Sequence, residues 1–160
     1  MLIAATVILS ATPRLGDLIK LGTMKTVLTR YPDSADHRGY LQVTAVTYNS
    51  ADHKCQISVR LGAKGYLIVF PDTVAFRVMD EREMPEFYSN NIEYANALPG
   101  SLVCRVDAGG WRGQSTHLDS GIRDGFFGKG AVAEYVVASD YACLNIISAA
   151  PTISEIIDGA

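Results

Sequence analysis

The residue types that could do chemistry gather in three places along the 160-residue chain. The first is the glycine-rich stretch from Gly109 to Gly130, which holds seven of the fourteen glycines, the only tryptophan and one of the three histidines. Within it His117, Asp119, Ser115 and Ser120 supply every residue type of a nucleophile, base and orienter set, which is hydrolase chemistry. Such a set is normally assembled from separate elements, and the Gly-x-Ser-x-Gly elbow is absent. The neighbouring pair Trp111 and Arg112 fits another role, because both types are enriched where proteins recognise one another. A tryptophan that closes the end of the core is the structural alternative.

The second place is the acidic run from Asp80 to Glu93, where Glu81, Glu83 and Glu86 mix with Phe87, Tyr88 and Tyr94. Paired carboxylates can move protons or bind a hard cation, but the ligand spacing and central glycine of a calcium loop are missing. The expected role is an acidic and aromatic patch for a basic protein partner, set against a plain solvated connection.

The third is a repeated tetrapeptide, Ser34-Ala35-Asp36-His37 and Ser50-Ala51-Asp52-His53. One intervening strand would hold the two copies roughly 30 Å apart, so they share no site. Turn chemistry ahead of a strand accounts for both.

Absences narrow the functional classes further. The chain has no Gly-x-x-x-x-Gly-Lys-Ser/Thr, no Gly-x-Gly-x-x-Gly between strand and helix, no Cys-x-x-Cys and no His-x-x-x-His. Nucleotide chemistry and common zinc sites are therefore not expected, and no cofactor is assigned. A net charge of -3 gives no general attraction to nucleic acid or anionic lipid. That charge is uneven: residues 1–62 carry seven Lys/Arg against four Asp, and residues 63–160 carry seven against thirteen Asp/Glu. Cys55, Cys104 and Cys143 are odd in number and lie in apolar stretches, the pattern of buried thiols in a reducing, cytoplasmic protein.

The elements that must position these residues read as mainly β. With 48 % hydrophobic and 19 % charged residues, the chain has the composition of one packed domain over 1–160. The apolar run Leu2 to Leu9 lacks the basic residue of a signal peptide and is too short to cross a bilayer, so it reads as a first strand. Apolar residues spaced by three and four predict an amphipathic helix from Leu15 to Tyr31. Four runs, Tyr40 to Tyr48, Cys55 to Leu61, Tyr66 to Phe70 and Val74 to Val78, are joined by short turns and predict a four-stranded antiparallel meander. A short helix beginning near Pro85 is expected in the acidic run. Strands follow at Ser101 to Val106, Ala131 to Val137 and Ala142 to Ile147. The tail Thr152-Ile153-Ser154-Glu155 has the spacing of a capping box and predicts a turn of helix.

About eight strands with one to three short helices must then bury one face, as a bent sheet, a barrel, a two-sheet sandwich or an α+β arrangement. The function expected is non-catalytic binding of a protein partner through Glu81, Glu83, Glu86, Tyr88, Trp111, Arg112 and His117, in the manner of an inhibitor or immunity protein. The alternatives are a β-barrel holding a small ligand under the Gly109–Gly130 loop, and a hydrolase using His117. Nucleic acid and membrane are not expected partners, and the sequence leaves the oligomeric state open.

Overall fold

A computed structural model of the protein describes residues 25–31, 41–80, 83, 92–94, 101–114, 132–139 and 142–156. They form ten strands and one short helix: β1 Thr26–Arg30, β2 Leu41–Asn49, β3 Lys54–Leu61, β4 Lys64–Phe70, β5 Ala75–Met79, β6 Ile92–Tyr94, β7 Cys104–Ala108, α1 Gly110–Gln114, β8 Ala133–Ala138, β9 Cys143–Ser148 and β10 Thr152–Ile156. The fold is mainly β, and all strand pairs but one are antiparallel.

Two sheets are present. One has four strands in the order β10-β4-β3-β2, and the other has six in the order β5-β9-β8-β7-β1-β6. Period-two alternation builds the smaller sheet: Cys55, Ile57, Val59 and Leu61 of β3 turn inward while Lys54, Gln56 and Arg60 face water. These residues meet Tyr135, Val137, Leu144 and Ile146 of the six-stranded sheet in one shared apolar core. Two sheets packed over a common core make a sandwich, and among the described strands neither closes into a barrel.

The three-strand meander β2-β3-β4 follows the sequence pattern. Its turn at Ser50–His53 uses local polar chemistry: Ala51 N–H donates to Asn49 Oδ1, Asp52 pairs with Lys54 at 2.9 Å, and His53 has φ of 51°. The second tetrapeptide is thus a hairpin turn, and the first lies outside the described residues.

The expected fourth meander strand is corrected. β5 leaves the four-stranded sheet and pairs with β9 in the other. A tight corner at Pro71–Val74 makes this switch: Asp72 takes φ of 49°, Thr73 N–H donates to His53 O, and Val74 N–H donates to Ile147 O. Short connections favour antiparallel neighbours only when the next strand stays in the same sheet.

Three other expectations also change. The helix over Leu15 to Tyr31 is replaced, at its described end, by β1. Thr26, Val27 and Thr29 are β-branched, and burial of Thr26 and Leu28 alternates as in a strand. The helical tail is replaced by β10, because open pairing groups on β4 offer Thr152, Ile153 and Ile156 a ladder that a four-residue turn of helix cannot match. β6 is a strand within the run read as helix and connection, and it pairs in parallel with β1. Residues 1–24, with the expected first strand, and the expected helix start at Pro85 lie outside the described residues.

None of the three cysteines forms a disulfide, all three are buried, and burial pushes the Cys55 and Cys104 thiols up to about 11. Among the described residues no helix is long and apolar enough to cross a membrane.

Candidate functional site

The site grows from two consecutive glycines. Gly109 and Gly110 take φ of 70° and 67°, the left-handed region that L side chains rarely adopt. Space forbids side chains as well: a Cβ on Gly109 would lie 2.6 Å from Lys25 O, and one on Gly110 would lie 2.7 Å from Glu134 Oε1 and 2.8 Å from Val106 Cγ1. The chain can therefore turn out of β7 against β1 and lay α1 on the outer face of the six-stranded sheet, the face turned away from the sandwich core.

Side chains from several strands receive that turn. Gly110 N–H donates to Thr26 Oγ1 of β1 at 3.0 Å. Trp111 N–H donates to Glu134 Oε1 at 3.0 Å, and Arg112 N–H to Glu134 Oε2 at 2.8 Å. Asn145 Nδ2 of β9 is the third donor to this carboxylate, reaching Oε1 at 2.8 Å, and Arg77 Nε of β5 donates to Asn145 Oδ1 at 3.1 Å. The Arg77 guanidinium sits 4.7 Å from the centre of the Trp111 ring, in a cation–π contact. One buried carboxylate thus holds the N–H groups that open α1 and ties them to β5 and β9.

Electrostatics at this point oppose one another. Burial pushes the Glu134 carboxyl above the usual range, while the Arg112 and Trp111 N–H groups, the Arg77 charge and the Asn145 amide pull it down. Burial also lowers Arg77, and the Glu134 charge raises it. Both oxygens of Glu134 are engaged, Oε1 by two donors and Oε2 by one. Its geometry suits an anchor that holds backbone in place.

The residues singled out in sequence separate in space. Trp111 and Arg112 lie on α1, half-buried, over the outer face. Glu83 is exposed just beyond the far end of β5, where its N–H donates to Asp80 O at 2.9 Å. Glu93 is exposed on β6 at the other edge, opposite Val27. Five strand spacings, roughly 24 Å, separate those two edges. Strand alternation also turns Glu93 to the opposite face from Ile92, which packs beside Leu28 and Cys104. The described acids therefore frame the sheet and do not form one cluster with Trp111. Glu81, Glu86, Tyr88 and His117, with Asp119, Ser115 and Ser120, lie outside the described residues.

Sequence reasoning missed Thr26, Arg77, Glu134 and Asn145. A signal was present for two of them: Glu134 and Asn145 each interrupt an otherwise apolar strand, and both β8 and β9 are buried on both faces in their central part. A polar residue at such a position requires a partner. Among the described residues no group of three or more His, Cys, Asp or Glu is placed to hold a metal ion.

Comparison with protein-family models, with curated proteins and with solved structures finds no match to this chain.

Proposed function

We propose that the protein is a non-catalytic binding domain that engages a protein partner through the segment opened by Trp111 and Arg112, with the acidic segment 80–94 contributing charge from the sheet edges. The observation that carries this reading is the anchoring of the Trp111 and Arg112 backbone by Glu134. Ordering a recognition segment before it meets its partner removes an entropic cost that binding would otherwise bear. Tryptophan and arginine are the side chains for which such ordering returns most, since they dominate interface hot spots. A role as inhibitor or immunity protein, masking a basic surface, agrees with the exposed Glu83 and Glu93 and with the acidic balance of residues 63–160.

Quantitative affinity capture from the native host tests the proposal, with wild-type, Arg112→Glu and Glu83→Lys chains of matched stability as bait. One saturable protein partner is expected, held at least about tenfold more weakly by Arg112→Glu and less affected by Glu83→Lys, as centre and rim of an interface behave. The proposal fails if no saturable partner is found, or if Arg112→Glu binds as well as wild type.

A further inference from the structure

An open strand edge is a template for another chain, and folded proteins usually guard it with a charge, a proline or a covering segment. The sandwich has four edge strands among the described residues. β10 carries Glu155, which pairs with Lys64 at 3.1 Å, and follows Pro151; β5 carries Arg77; β6 is only three residues long and carries Glu93. β2 differs from all three. It is the longest of them, at nine residues, and its sequence Leu-Gln-Val-Thr-Ala-Val-Thr-Tyr-Asn has no charge and no proline.

Most of β2 is exposed. Gln42, Thr44, Ala45, Thr47, Tyr48 and Asn49 are all exposed, and β3 is its one hydrogen-bonded neighbour among the described residues. Apolar surface accompanies the open backbone. The Tyr48 ring stacks on Phe76 of β5 at 5.1 Å between centres, and Val78, two residues on and on the same face of β5, is 48 % exposed. Tyr48 and Val78 are two of the three large hydrophobic side chains exposed among the described residues. They lie along the side of the sandwich where β2 and β5 are the edge strands among the described residues.

We infer that β2 pairs with β2 of a second copy of this chain, in an antiparallel two-fold arrangement that joins the four-stranded sheets of two copies into one continuous sheet. Neutrality selects this occupant. A strand with no charge meets no like charge when set against itself, and its β-branched Val43, Thr44, Val46 and Thr47 form good cross-strand neighbours for their own kind. The ladder is offset at the bulge between Val43 and Ala45, where Thr44 Oγ1 donates to Ser58 O at 3.1 Å, so the regular pairing run is Ala45 to Asn49. Pairing there also shields Tyr48 from water. The inference is independent of the partner surface proposed at Trp111, which lies on the other sheet.

Sedimentation velocity of the full chain over a range of micromolar concentrations tests it, alongside Ala45→Lys/Thr47→Lys. Both substitutions fall on the exposed outer face, beside Ser58 and Gln56. A concentration-dependent species of twice the chain mass is expected for wild type, and a dissociation constant weakened by about tenfold or more for the variant, with unchanged circular dichroism. Hydrogen exchange on the wild-type chain provides a readout that needs no variant: the β2 amides directed away from β3 are expected to exchange more slowly as concentration rises. A wild-type chain that stays monomeric throughout, a dimer unchanged by the two lysines, or β2 amides whose exchange ignores concentration would overturn the inference.

Discussion

Along β8 and β9 the two faces of the six-stranded sheet are both buried, yet they are held by different physics. The inner face presents Tyr135, Val137, Leu144 and Ile146 to the four-stranded sheet and gains its stability from apolar burial, which has no direction. On the outer face Thr26, Arg77, Glu134 and Asn145 share space with a smaller apolar cluster of Leu28, Cys104 and Val136. Every polar group there depends on a partner from a different part of the chain. Non-directional burial tolerates small changes in shape, whereas a buried carboxylate serving three donors tolerates almost none.

Substitution at the carboxylate breaks the comparison most sharply. Glu134→Leu keeps the volume but strands the Trp111 and Arg112 N–H groups, the Asn145 amide and the Arg77 charge, and is expected to cost about 3–5 kcal/mol. Urea unfolding followed by fluorescence of Trp111, the only tryptophan, measures both the loss of stability and the release of the ring from Arg77. The matching change on the inner face, Ile146→Val, removes one methyl group and is expected to cost about 0.5–1.5 kcal/mol in the same assay without altering the folded-state spectrum. Equal losses at the two sites would erase the distinction between the faces.

The smallest effect is a pH dependence. Burial holds the folded-state value of Glu134 above the unfolded one, so the unfolded chain releases this proton first as pH rises. Its contribution is fully favourable below the ordinary glutamate range and declines as pH passes from that range up through the raised folded value. Glu134→Gln, which cannot titrate, is expected to lack this decline, so that its stability relative to wild type improves with rising pH over that window. A difference between the two proteins that stays flat with pH would show that the three donors and Arg77 cancel the burial.

Local pattern made some of this molecule readable in advance. Alternation in Cys55 to Leu61 and a polar turn at Ser50 to His53 pointed to the hairpins of the four-stranded sheet, because both the strands and the turn chemistry are contained within thirty residues. β1 reads as helix because its apolar spacing also fits one, and β10 because Thr152 to Glu155 has the spacing of a capping box; only pairing groups far away in sequence choose the strand. In the candidate site, Trp111 and Arg112 stood out by residue type. Glu134, Asn145, Arg77 and Thr26 did not, since nothing near them in sequence indicates that they converge.

What the sequence determined by itself is a mainly antiparallel β fold with buried thiols and a hairpin stack through its middle. Tertiary structure alone decided that β5 changes sheet, that a buried glutamate anchors the turn, and that β2 is an edge strand of its sheet among the described residues. Periodicity and turn chemistry act over a few residues and are written in order along the chain. Partners for a buried charge and exposure of a strand edge depend on which distant segments arrive beside them.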